Sequence, residues 1–240
     1  MKRLVCIMLC CAMMTAASVS CGDDSKDSGS DSKAPGYMNN DDDDEEAAQQ
    51  LAGYWEIPDS SSEGLESVGF MFNEDGTGGI YEVFDDLIEA TDNTFKVGGQ
   101  KISKSMIDFD GSKFVIKDGD DLMMDMTRIG GKDDSTYVGK YRLTGGQLYD
   151  VIVDGMETDM NIDDSSPNLT IEFKDNNTIF VFEDVIAYKL TGNNIVLSGQ
   201  LGKLWGTDMQ DKPLKWEIKG SKLTFYTEDG NEMVLKRADI

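Results

Sequence analysis

Histidine is absent from all 240 residues, and the four cysteines, Cys6, Cys10, Cys11 and Cys21, all fall within the first 21 positions. Without histidine there is no Ser–His or Cys–His pair to activate a nucleophile. Zinc, which is held by His and Cys, has no ligand set beyond Cys21. Carboxylates are the remaining reactive groups. They cluster at Asp108-Phe109-Asp110-Gly111, Asp118-Gly119-Asp120-Asp121 and Asn161-Ile162-Asp163-Asp164. None of these has the twelve-residue loop of an EF-hand, with glycine at the sixth position and glutamate at the twelfth. Asp and Gly are the residues that tight turns demand, so turn chemistry explains the clusters. Acids are too widespread for a catalytic pair to be nominated. We therefore expect a non-enzymatic protein with no catalytic residues, no bound metal and no cofactor.

Cys21 has a different kind of reactivity, set by what precedes it. Lys2 and Arg3 form a positive start, Leu4 to Ala17 is apolar and uncharged, and small residues lead to Ser18-Val19-Ser20-Cys21-Gly22. The apolar core is shorter than the roughly 20 residues of a spanning helix. This is the order of a secretory signal peptide, assigned to residues 1–20. A cysteine at the cut resembles the lipobox of bacterial lipoproteins, with Ser18 where Leu is commoner. The resemblance implies that the Cys21 thiol is lipidated and becomes the new N-terminus. Ser18 and Ser20 also suit an ordinary signal peptidase, which leaves plain secretion as the alternative. Two acyl chains give stable anchoring where one is marginal. The expected location is the cell envelope, on the extracytoplasmic side of a cell membrane or outer membrane. With its cysteines removed or lipidated, the exported body has no disulfide to rely on.

Residues 21–50 are rich in Ser, Asp and Gly and end in the acid run Asp41-Asp42-Asp43-Asp44-Glu45-Glu46. Such a composition buries too little apolar surface to offset chain entropy, so it reads as a disordered acidic linker. The whole chain holds 46 acids against 22 bases, a formal net charge of −24. That balance opposes binding to nucleic acid and direct adsorption to anionic lipid. The only membrane contact expected is through the lipid on Cys21.

The rest of the chain alternates apolar and polar residues over short runs, as in Lys113-Phe114-Val115-Ile116-Lys117 and Lys222-Leu223-Thr224-Phe225-Tyr226. Asp-Gly turns recur at 75, 110, 118 and 229. These are the marks of hairpins in an all-β fold. The body also repeats itself. Leu51-Ala52-Gly53-Tyr54-Trp55 aligns with Tyr137-Val138-Gly139-Lys140-Tyr141, and Phe72 to Thr77 with Phe173 to Thr178. Phe95 to Ile102 aligns with Tyr188 to Ile195, Gly111-Ser112-Lys113 with Gly220-Ser221-Lys222, and Arg128 with Arg237. The units are placed at 51–130 and 136–240.

Gly53-Tyr54-Trp55 resembles the Gly-x-Trp that opens lipocalin-type barrels. Phe72 to Thr77 looks like the second element of lipocalin-like domains in bacterial lipoproteins. The resemblance implies two small antiparallel lipocalin-like barrels in tandem, following the signal peptide and tether. It further implies an aromatic at each closed end with an arginine stacked on it, Trp55 under Arg128 and Tyr141 under Arg237. Units this short leave little cavity, so filled or nearly filled barrels are expected.

Two insertions are candidate binding elements. In Gln147 to Pro167, Leu148, Ile152, Met156 and Met160 recur every four residues and would share one helix face as a ligand lid. The competing reading, a strand through the β-branched Val151-Ile152-Val153, is favoured. In Leu201 to Pro213, Trp205 lies between Gly202 and Gly206 and is a candidate binding aromatic for a sugar or a partner protein. Its alternative is an aromatic folded onto its own barrel. Trp216, in an alternating strand, reads as core. Together these features predict non-catalytic binding of a small apolar ligand or a partner. The alternatives are an interaction module without a small-molecule site and, third, a carbohydrate binder.

Overall fold

The computed structural model describes residues 42–61, 65–84, 94–97, 100–131, 136–159, 168–175, 177–198, 211–228 and 230–240. Cys21, the signal peptide, Met160 and Trp205 lie outside them. The first described element is helix α1 (Asp42–Leu51), where the sequence is expected to remain an acidic linker through Gln50. The reason lies in its last turns. Ala48 and Leu51 are buried in the core and Ala47 packs against it, while Glu45, Glu46, Gln49 and Gln50 stay exposed. Acids at the helix start oppose the positive end of its dipole. Burial of Leu51 adds roughly 1.5–3 kcal/mol that the free linker lacks.

Five strands follow: β1 (Gly53–Glu56), β2 (Leu65–Phe72), β3 (Thr77–Phe84), β4 (Thr94–Val97) and β5 (Gln100–Ser103). After a 3-10 turn at Lys104–Met106 come β6 (Ile107–Phe109), β7 (Lys113–Asp118) and β8 (Asp121–Gly130), which complete the first repeat. The second holds β9 (Gly139–Gly145), helix α2 (Gln147–Asp159), β10 (Asn168–Phe173) and β11 (Thr178–Thr191). It ends with β12 (Asn194–Ser198), β13 (Pro213–Lys219), β14 (Lys222–Tyr226) and β15 (Glu232–Arg237). The fold is all-β, as expected.

One 13-stranded antiparallel sheet runs β12-β13-β14-β15-β1-β2-β3-β11-β10-β9-β8-β7-β6, and β4 and β5 pair separately. Because β12 also pairs with β11, eight strands close into a ring. That ring takes β1 to β3 from the first repeat and β11 to β15 from the second. The first repeat's β6 to β8 pair onward to β9 and β10 of the second. The repeats are thus crossed through one another.

Strand β11 makes the crossing possible. Its residues 178–182 lie between β10 and β3, whereas Ala187 to Thr191 pair with β12. The change of partner occurs at a register shift between Phe182 and Ile186, with Asp184 at φ 62°. A bulge of this kind bends and re-aims a strand. Aspartate is among the few non-glycine residues that tolerate such a φ.

Alternate residues of β1–β3 and β9–β15 face one continuous core. On the ring side, Phe72 meets Tyr188 at 5.6 Å and Phe225 at 6.3 Å between ring centroids. On the other side, Phe114 of the first repeat stacks on Phe173 of the second at 5.4 Å, with Tyr141 at 5.7 Å. A smaller cluster, Met71, Tyr81, Val83, Ile179 and Val181, lies on the opposite face of β2, β3 and β11, with Tyr54, Ala238 and Ile240 packed against it.

Candidate functional site

The predicted aromatic–arginine pairs form, but with exchanged partners. Arg237 lies over Trp55 at 4.3 Å from the ring centroid, and Arg128 over Tyr141 at 5.0 Å. The expectation of Trp55 under Arg128 and Tyr141 under Arg237 is therefore corrected. The cause is the sheet order: β1 pairs with β15, putting Trp55 opposite Arg237, and β8 pairs with β9, putting Arg128 opposite Tyr141.

The two corners share a common pattern, and Arg128 Nη2 adds a bond to Tyr141 Oη at 2.7 Å. Arg237 donates from Nη1 to Ala52 O at 3.1 Å and from Nη2 to Gln50 O at 2.5 Å. Arg128 donates from Nη1 to Val138 O at 3.3 Å and from Nη2 to Thr136 O at 2.5 Å. Trp55 Nε1 donates to Leu51 O, and Tyr141 Oη donates to Tyr137 O, each four residues back. Gly53 at φ 121° and Gly139 at φ 154° make room. A Cβ there would come within 3.1 Å and 2.8 Å of the arginine nitrogens. Each corner is a structural clamp: a guanidinium held by backbone carbonyls and an aromatic face of its own chain.

Helix α2 forms where a strand through Val151 to Val153 is favoured by sequence. Leu148 and Ile152 are 8% and 0% exposed and belong to the core, while Val151 on the outer side is 41% exposed. β-Branched residues cost a helix only some tenths of a kcal/mol each. Burying Leu148 and Ile152 is worth roughly 1.5–3 kcal/mol apiece and outweighs that cost. The helix packs on β8 and β9. Met156 lies within it, and the shared helix face of Leu148 and Ile152 is that of the predicted lid.

A cleft of about 410 Å³ opens between α1 and β13, lined among others by Asp44, Gln50, Asn193, Trp216 and Glu217. It forms because β12 stops pairing with β13 at Asn194–Lys215, while β13 continues to Lys219. Helix α1 occupies the space beyond. Asp44 Oδ1 accepts from Gly192 N at 3.2 Å and ties the helix to the β11–β12 turn. Trp216 is half-buried rather than wholly core, and its Nε1 has no hydrogen-bond partner. Glu217 Oε1 accepts from Lys219 Nζ at 2.8 Å and from Tyr226 Oη at 2.5 Å, and these bonds hold its carboxyl below the usual range. Sequence reasoning placed no site here, because the cleft joins a presumed linker to a strand some 170 positions later.

The acid clusters that fall on described turns behave as turn chemistry requires. Asp110 Oδ1 accepts from Lys113 N at 2.7 Å, Ser112 Oγ at 2.8 Å and Ser112 N at 2.9 Å. The Lys113 backbone bond leads these in holding its carboxyl below the ordinary value. Asp163 and Asp164 lie outside the described residues. Among the described residues, no group of three or more His, Cys, Asp or Glu is placed to hold a metal. Among the same residues no helix is long and apolar enough to cross a membrane.

Glu183, next to the bulge, accepts from Lys140 Nζ at 2.9 Å, Arg142 Nη2 at 3.2 Å and Thr170 Oγ1 at 2.9 Å. Glu82 has no such company. It is 2% exposed, its Oε2 has no partner, and burial pushes its carboxyl up to about 8. Strand parity alone did not mark it, because Tyr81 and Val83 make the other face of β3 equally apolar and both faces are buried.

No family model, no curated protein and no solved structure matches the chain.

Proposed function

We propose that this is a non-catalytic, lipid-anchored protein of the cell envelope that engages a ligand or partner at the cleft between α1 and β13. The cleft is the observation that carries the reading. Its lining offers the carboxylates of Asp44 and Glu217, the amides of Gln50 and Asn193, and the Trp216 indole. Carboxylates attract donors and cations, and an indole ring offers an apolar face on which a sugar or a cation can stack. An occupant rich in hydroxyls meets both demands, as does a basic side chain. This lining suits a polar ligand or partner better than the apolar ligand suggested by the lipocalin resemblance. That resemblance is kept in altered form, as one barrel-like ring built from strands of both repeats.

The anchor is read from Cys21 and the apolar stretch before it. Native mass spectrometry of the protein extracted from its own host tests both parts. The expected result is a diacylated N-terminal cysteine and a co-purifying small molecule or protein that Trp216→Ala releases. A bare N-terminus shed into the medium would overturn the anchor. Retention of the bound species by Trp216→Ala would overturn the cleft.

The second reading is an interaction module without a small-molecule site. It is favoured by the large side chains that fill the ring, including Trp55, Phe72, Leu223, Phe225 and Leu235, each at most 1% exposed.

A further inference from the structure

Glu82 sits where the two repeats are joined. On β3 it pairs with Val68 of β2 on one side and with Phe180 of β11 on the other. The β3–β11 ladder is one of three, with β1–β15 and β8–β9, that unite the first repeat with the second. Thr178 lies one pleat along on the same face, opposite Phe84. It is 0% exposed, and its Oγ1 also has no partner. Among the described residues, Ile80, Phe84, Val68 and Phe180 on this face are apolar, and Thr178 adds one hydroxyl. The acids of the flanking strands are directed elsewhere. Glu66 and Asp184 are exposed, and Glu183 is held by Lys140 and Arg142. Burial alone accounts for the hold on the Glu82 proton, with no charged group adding to it.

A buried carboxylate without a counter-charge is one of the costliest groups a core can hold. The neutral acid costs far less to bury than the carboxylate does. To ionise it, water must enter between β3 and β11. We propose that Glu82 is a proton-operated latch on the seam between the repeats: while its carboxyl is neutral the seam stays shut, and its ionisation loosens β3 from β11.

The direction follows from proton counting. The closed seam binds the proton more tightly than an opened one, where Glu82 has an ordinary carboxyl. Acid therefore tightens the seam, and each rise in pH loosens it until the closed form ionises too. Backbone amide exchange of the intact protein reads this directly, once corrected for the intrinsic pH dependence of exchange. Protection of the β3 and β11 amides should fall by about tenfold per pH unit from about pH 5 to about pH 8, then level off. Amides of β7 and β14, away from the seam, should not follow that slope.

Glu82→Gln keeps the size and removes the charge, so its seam protection should be flat over the same range. Infrared spectroscopy gives a second readout on the native chain. A protonated carboxyl band should be present at neutral pH and missing from Glu82→Gln. Seam protection in the native chain that stays flat with pH, or the same slope in Glu82→Gln, would overturn the proposal. So would the absence of the carboxyl band at neutral pH.

Discussion

Arg237 grips carbonyls 185 and 187 residues away, and Arg128 makes the matching grip on carbonyls only 10 and 8 residues away. Hydrogen bonds from a charged donor contribute about 1.5–3 kcal/mol, and a cation over an aromatic face about 0.5–2 kcal/mol. A double-mutant cycle on Trp55→Leu and Arg237→Ala should therefore give a coupling of about 0.5–2 kcal/mol by chemical denaturation. The cycle on Trp55→Leu and Arg128→Ala should give nearly zero. Equal couplings would contradict the exchanged partners. Asp75 gives a second expectation. Its Oδ1 accepts from Thr77 Oγ1 at 2.6 Å and Thr77 N at 3.0 Å, and the side-chain bond leads in lowering its carboxyl. Asp75→Ala should lower stability by about 1 kcal/mol at neutral pH. Because the folded group holds its proton more weakly, the charge-dependent part of the difference should begin to shrink as pH falls below about 4 and be lost only below the group's lowered folded value. At this scale the sequence was a good guide to residue types and a poor guide to partners. Trp55, Tyr141, Arg128 and Arg237 could all be named as clamp residues. Both arginines close a hairpin that opens with Gly-Ser-Lys, so nothing near them in the sequence says which ring each will cover.

Helix α2 shows two readings of one segment in competition. Strand propensity at Val151-Ile152-Val153 is spread over three residues and small for each. The four-residue spacing of Leu148 and Ile152 carries more free energy, because both side chains reach the core. Ile152→Ala should cost about 2–4 kcal/mol of unfolding free energy, and Val151→Ala less than about 0.5 kcal/mol. Equal losses at the two positions would mean that the helix is not seated through this face. Helix α1 follows the same logic. The acid run reads as solvated chain until Ala47, Ala48 and Leu51 are counted with it, and those three residues fix it to the core. The strands themselves were legible, because alternation and Asp-Gly turns are local signals. Their order in the sheet was not, because the β1–β15 and β3–β11 ladders depend on residues far apart in sequence.

At the scale of the molecule, crossing the repeats makes a distinctive forecast. A protease site placed between Gly131 and Thr136 separates the halves covalently. Tandem barrels of one repeat each would then come apart as two particles. The crossed sheet should instead remain one particle under native conditions in size-exclusion chromatography, and split only in denaturant. Two separate native peaks would contradict the sheet order. The duplication itself was readable, since Phe72 to Thr77 and Phe173 to Thr178 keep their order and spacing. A duplicated sequence is equally compatible with side-by-side and intertwined copies, because each copy supplies the same strand edges.

The β1–β15 ladder also bears on how the chain is made. The first strand has its outer neighbour encoded at the opposite end, so it emerges with one edge bare. That edge stays open through synthesis of everything in between, and the ring can shut only after Arg237 has been added. Late closure of so distant a contact is slow and leaves sticky intermediates. A nascent protein of this design cannot finish its amino-terminal part early. It must be kept from aggregating until β15 is available to pair with β1.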